Sequence, residues 1–202
     1  IFGDGVYEVI PIFNRKIFRF SQHITRLENS LKAIYMKNPL KESEWREIFN
    51  KLTDSLEESN QSIYLQITRG ISKRDHDIAI ASEPTIFVMS RPIDTSNFSL
   101  GIKAITHEDI RWKYCDIKAI TLLPSILLRY EAKEQGARET ILIRNKYVTE
   151  GAASNIFVCT DGRILTPPET NHVLSGITRD LLIEILISNN FSLAEESISE
   201  NT

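Results

Sequence analysis

Tyr114-Cys115-Asp116-Ile117-Lys118-Ala119-Ile120 and, further along, Thr149-Glu150-Gly151-Ala152-Ala153-Ser154-Asn155 are the two stretches on which the reading turns. A lone lysine is ordinarily a solvated surface charge. Lys118, however, sits among Ile117, Ala119 and Ile120, a setting that predicts a strand end entering a core. A partly desolvated amine loses its proton more readily and becomes a nucleophile. Glu150 lies in a run of glycine, serine and asparagine that predicts a tight turn, where a carboxylate can be held buried.

Outward from these stretches the pattern is mixed α and β. Val6 to Phe13 and Lys16 to Phe20 are rich in Val, Ile and Phe around Asn14-Arg15, which predicts a hairpin. Ile24, Leu27, Leu31 and Ile34 recur at helical spacing after Ser21, the expected N-cap. Trp45, Ile48, Phe49, Leu52 and Leu56 predict a second amphipathic helix, followed by strands at Ser62 to Arg69 and Thr85 to Arg91. The polar segment Pro92-Ile93-Asp94-Thr95-Ser96-Asn97 is the expected linker. Beyond it, strands are expected at Gly101 to His107, Glu139 to Arg144, Asn155 to Thr160 and Arg163 to Thr166, the last two joined at Asp161-Gly162. Helices are expected at Leu122 to Gln135, with Pro124 in the first turn, and at Thr178 to Ile187. The architecture is therefore α+β, with domains at 1–93 and 97–202.

Composition narrows the function classes. A formal net charge of −3 leaves no electrostatic footprint for nucleic acid or an acidic membrane. No apolar run reaches the length of a membrane span. Cys115 and Cys159 are far apart and outside any Cys/His cluster, so neither zinc nor a disulfide framework is expected and a cytoplasmic setting is. His23, His107 and His172 have no metal-ligand spacing and receive no role. The chain opens at Ile1 without methionine and stops at Thr202 beside an apparent strand, so truncation at both ends is expected.

A nucleophilic amine and a buried acid are the two groups that pyridoxal 5′-phosphate requires, one for the aldehyde and one for the ring nitrogen. Ser175-Gly176-Ile177-Thr178 precedes an apolar helical run. Such residues are common caps, but they also aim amides and a hydroxyl at an anion such as a phosphate. Arg26 could supply a cationic partner, although periodicity alone places it on the polar side of its helix. In Arg69-Gly70-Ile71-Ser72-Lys73-Arg74-Asp75-His76, Arg74 and His76 stand two apart and can donate to one carboxylate, with the Tyr7 hydroxyl joining them.

Five ordered blocks carry a resemblance: Phe2-Gly3-Asp4-Gly5-Val6-Tyr7-Glu8-Val9, His23-Ile24-Thr25-Arg26-Leu27, Asp116-Ile117-Lys118, Thr149-Glu150-Gly151-x-x-Ser154-Asn155 and Gly176-Ile177-Thr178-Arg179. Together they resemble the class IV (fold type IV) pyridoxal-phosphate aminotransferases, a group that includes D-amino acid and branched-chain aminotransferases and 4-amino-4-deoxychorismate lyase. The resemblance implies a small N-terminal α/β domain, a larger pseudo-barrel domain and a homodimer whose subunits complete each other's sites. It makes Lys118 the Schiff-base lysine and proton shuttle, and Glu150 the partner of the ring nitrogen. Arg26, Gly176, Ile177 and Thr178 become the phosphate cup, Leu174 the residue packed on the cofactor ring, and Ser154 and Asn155 the polar turn beside it. Tyr7, Arg74 and His76 become the substrate-carboxylate clamp, the last two reaching in from the neighbouring subunit. Ala152-Ala153 departs from the serines frequent there in D-amino acid enzymes. The implied reaction is amino-group transfer between a small, D-configured amino acid and a 2-oxo acid. The alternatives are the lyase, which releases pyruvate and p-aminobenzoate, then branched-chain transfer, then a non-catalytic cofactor-binding module.

Overall fold

The computed structural model describes residues 2–78, 83–93 and 101–202. Its residues fall into two compact units, Ile1–Ser99 with Ile117–Thr121, and Leu100–Asp116 with Leu122–Thr202. The short return of Ile117–Thr121 to the first unit is not captured by a single break near residue 95. The expected linker lies outside the described residues from 94 onward, and Pro92 itself ends a strand.

In the first unit, β1 (Gly5–Phe13), β2 (Lys16–Ile17), β3 (Gln61–Thr68) and β4 (Thr85–Pro92) form an antiparallel sheet in the order β2-β1-β3-β4. Asn14 and Arg15 both have positive φ, the geometry of a two-residue hairpin whose twist matches its strands. Alternation along β1 buries Val6, Glu8, Ile10 and Ile12 on one face. Helices α1 (Phe20–Ala33) and α2 (Glu42–Asp54) supply Phe20, Ile24, Leu27, Leu31, Trp45 and Phe49 to the same core. Burying one such side chain contributes roughly 1.5–3 kcal/mol, so this cluster dominates the stability of the unit. The second expected strand is cut to two residues because α1 starts at Phe20. Its N-cap is left-handed Arg19 rather than Ser21, which lies inside the helix.

In the second unit, β5 (Ala104–Glu108) runs parallel to β6 (Glu139–Arg144), with α3 (Leu123–Glu134) between them in sequence. Pro124 stands in the first turn of α3, where its missing N–H leaves no bond unmade. A strand absent from the sequence reading, β7 (Tyr147–Gly151), pairs antiparallel with β6 through a hairpin at Asn145-Lys146. The remaining strands are β8 (Val158–Thr160), β9 (Arg163–Thr166) and β10 (Leu193–Glu195), ordered β10-β9-β8, and α4 (Ile177–Ser188) precedes β10. The expected strand from Asn155 shortens to Val158–Thr160, because Asn155 is held by side-chain bonds instead.

Candidate active site

The first unit holds Tyr7, Arg26 and Lys118. Lys118 lies outside the named strands, directly before the isolated bridge at Ala119, and it is half-buried. Its backbone is fixed on both sides: Tyr7 N donates to Lys118 O at 3.0 Å, and Lys118 N donates to Ser30 Oγ at 3.2 Å. The next residue, Ala119, bridges Val6. The ammonium Nζ sits 4.4 Å from the centre of the Tyr7 ring, a cation–π contact, and Tyr7 stacks on Tyr64 at 5.9 Å. The amine is therefore held against an aromatic face at the end of β1.

Beneath it, on the core face of β1, Glu8 is 1% exposed. Arg26 grips it by Nε to Oε1 and Nη2 to Oε2, both 2.8 Å, and His23 Nδ1 lies 2.8 Å from Oε2. Burial alone would raise the Glu8 carboxyl, but the Arg26 and His23 hydrogen bonds and the Arg26 and Lys118 charges hold it below its ordinary value. Arg26 is thus a largely buried ion-pair member, not a solvated arginine, and His23, assigned nothing from the sequence, is part of the same cluster. Both were readable from position: Glu8 occupies the apolar phase of β1, and His23 falls on the stripe of Leu27 and Leu31.

Arg74 and His76 lie elsewhere in this unit. The Arg74 guanidinium is 5.5 Å from the Phe2 ring, and the His76 ring centre is also 5.5 Å from it. The base of their loop is pinned by a fork from Arg69 to Asp4, at 2.5 and 2.8 Å. Tyr7 faces Lys118 and Tyr64 instead.

The second unit holds Glu150, Ser154, Asn155, Leu174, Gly176, Ile177 and Thr178. Glu150 stands on β7, not in a turn. Ile143 pairs Val148 and Ile141 pairs Gly151, so β7 carries one residue more than β6 over that interval. This bulge turns both Thr149 and Glu150 inward, where strict alternation would bury only one. Glu150 accepts from Asn155 Nδ2 at 3.1 Å and from Leu174 N at 3.0 Å, and its other oxygen meets Arg111 Nη1. Asn155 also donates to Leu174 O at 2.9 Å, tying the turn to the segment before α4. Any Cβ on Gly176 would collide with Asn155 Oδ1, so glycine is required there. Ser154 donates to Glu139, and Thr178 is exposed in the first turn of α4. Buried Arg179 pins that turn through Glu169, Glu195 and Pro167 O. The Ile177 and Thr178 amides, at the helix start, have no intrahelical acceptor to bond.

Arg111 and Asp109 went unseen in the sequence, where Asp-Ile-Arg after a strand carries no distinctive pattern. Arg111 forks onto Asp109 with two bonds of 2.9 Å while also reaching Glu150, and Arg144 Nη2 stands 3.1 Å from Asp109. Burial raises Asp109, but the Arg111 bonds and charges outweigh it and the group ends below its ordinary value. For Glu150 burial wins: its carboxyl is raised despite Arg111 and the Leu174 N–H. Burial likewise pushes the Cys115 thiol up to about 11, so it is protonated and unreactive at neutral pH.

The class IV amino-transferase model matches residues 5–202. The chain belongs to this family. It is 36% identical to a D-alanine aminotransferase of Bacillus licheniformis across 99% of this chain and 71% of that one. It superimposes on the branched-chain amino acid aminotransferase of Escherichia coli with TM-score 0.89 at 25% identity, over 99% of this chain and 70% of the other. The PLP-bound form of a hypothetical aminotransferase from Mycobacterium tuberculosis matches at TM-score 0.83 and 23% identity, over 98% and 72%, and supports the fold. As a class IV aminotransferase the chain is a pyridoxal-phosphate enzyme. The donor set agrees: a desolvated carboxylate favours a further N–H donor, and a half-buried lysine supplies the amine.

Proposed function

We propose that this class IV aminotransferase moves the amino group of a small D-amino acid, D-alanine first, to a 2-oxo acid, working as a homodimer in the cytoplasm. The observation that carries the reading is the placement of the Lys118 amine against the Tyr7 ring, with its backbone clamped by Tyr7 and Ser30. The likeness to D-alanine aminotransferases over nearly the whole chain supports the substrate.

When bound, pyridoxal 5′-phosphate supplies an aldehyde that condenses with amines and a cationic ring that accepts electrons from the substrate carbon. Lys118 Nζ would be the amine that holds this aldehyde and, once released by the substrate's amine, the base that would carry the Cα proton to the former aldehyde carbon. Glu150 would be the acid partner that favours a proton on the ring nitrogen, and Asn155 and Arg111 keep Glu150 oriented. Arg26 from the first unit and Gly176, Ile177 and Thr178 from the second would hold the phosphate, and Leu174 and Ser154 would line the ring. Tyr7 binds the substrate carboxylate together with Arg74 and His76 of the neighbouring subunit. Such orientation decides which face of Cα meets the amine.

D-alanine with 2-oxoglutarate should yield pyruvate, L-alanine should not, and Lys118→Ala should lower the rate by at least about 10²–10⁴-fold. Pyruvate formation that survives the Lys118 substitution removes the lysine from the mechanism. Release of p-aminobenzoate from aminodeoxychorismate, with no turnover of D-alanine, establishes the lyase instead.

A further inference from the structure

The buried carboxylate of Glu8 has no part in the reaction just described, yet β1 places it in the core at a cost of several kcal/mol unless it is paired. Its bonds are specific. The Arg26 fork engages the Nε edge of the guanidinium, and His23 steadies Oε2 from the other side. Ser30, which receives the Lys118 amide, stands one turn further along α1 than Arg26. Arg26 and the Lys118 backbone are therefore anchored to the same helix, and Glu8 ties that helix to the strand carrying Tyr7.

We propose that Glu8 is a positioning residue, which holds the Arg26 guanidinium in one orientation so that it meets the cofactor phosphate as a preformed donor. This rests on the reading that Arg26 belongs to the phosphate site. A free arginine side chain has about 2 kcal/mol of rotamer freedom, which a ligand must remove on binding. The Glu8 fork removes it during folding, and a planar guanidinium gripped along one edge presents its other donors in a fixed plane.

The test compares the affinities of the full-length apoprotein for pyridoxal 5′-phosphate and for pyridoxal, which lacks the phosphate, read by absorbance titration. Glu8→Gln should reduce the preference for the phosphorylated form by about tenfold or more, leaving pyridoxal affinity unchanged. Glu8→Asp, which keeps the buried charge but falls short of the fork, should reduce it as well and serves if the glutamine variant does not fold. In an Arg26→Ala background the Glu8 substitution should have no further effect on the preference. Equal weakening of both ligands, an unchanged preference or a stronger one overturns the positioning role. If Arg26→Ala leaves the preference intact, the phosphate assignment of Arg26 falls too, and so does the proposal built on it.

Discussion

Glu8 and Glu150 are both buried carboxylates, 1% and 5% exposed, and each meets a guanidinium, yet their proton affinities move in opposite directions. Glu8 is gripped by Arg26 in a two-bond fork and has a third hydrogen bond with His23. Glu150 has one contact with Arg111, whose fork is spent on Asp109. Asp109 also adds a like charge that raises Glu150 further. A guanidinium nearby is therefore not enough to hold a carboxyl below its ordinary value; the bonds it makes and the charges beside it set the direction. The arrangement suits the two roles. Glu8 is held by three hydrogen bonds, whereas Glu150, raised by burial, would gain from a further N–H donor such as the ring nitrogen proposed for it.

The most damaging way to disturb this contrast is Arg111→Met, which leaves Asp109 and Glu150 facing each other with Arg144 as the nearby cation. Urea unfolding at neutral pH should show a loss of about 3–5 kcal/mol. A loss under about 1 kcal/mol means that Asp109 and Glu150 are not both charged in the folded protein. The glutamine pair sharpens the comparison. Glu8→Gln takes a charged partner from a buried arginine and should cost roughly 1.5–3 kcal/mol, whereas Glu150→Gln removes a poorly compensated charge and should stay within about 1 kcal/mol of the parent. Equal costs would erase the distinction drawn here.

The smallest effect is in pH. Glu8 and Asp109 are held below their ordinary values of 4.5 and 3.8, so the stability they contribute is complete above those values and drains away as acid protonates the folded state. Glu150 is raised above 4.5, so its contribution runs the other way: the folded state keeps the proton longer, and stability declines as pH climbs through its raised value. Denaturation midpoints across roughly pH 3 to 6 should show a shallower acid limb in Glu8→Gln and a lost decline above 4.5 in Glu150→Gln, each slope at most about 1.4 kcal/mol per pH unit. Matching profiles in the two variants would contradict the opposed directions.

Local signals were legible where a residue type dictates geometry. Asn14-Arg15 and Asp161-Gly162 both turn as expected, with positive φ at each of the four residues. Asn145-Lys146 makes the same turn, but the strand after it, Tyr147–Gly151, runs into Thr149-Glu150-Gly151 and on to Ser154-Asn155, polar and small residues that read as loop. That error put Glu150 in a turn, since a bulge depends on register with β6 and leaves no trace in one strand's sequence. Lys118 and Glu150 stood out through their neighbours, whereas Arg111 becomes meaningful only once β7 brings Glu150 to it. The polar-side placement of Arg26 followed helical periodicity correctly and still misjudged its burial, because Glu8 on a separate strand draws the side chain inward.

Because Ile117–Thr121 packs with the first unit while the residues on either side of it do not, the unit's inventory is written in two places along the chain. A fragment ending at residue 93 would bare the amide of Tyr7 and the bridging edge of Val6, and would carry no lysine at the head of its sheet. Anyone building chimaeras from related enzymes has to transplant this pentapeptide along with β1, because a seam that parts them separates Lys118 from the strand that cradles it.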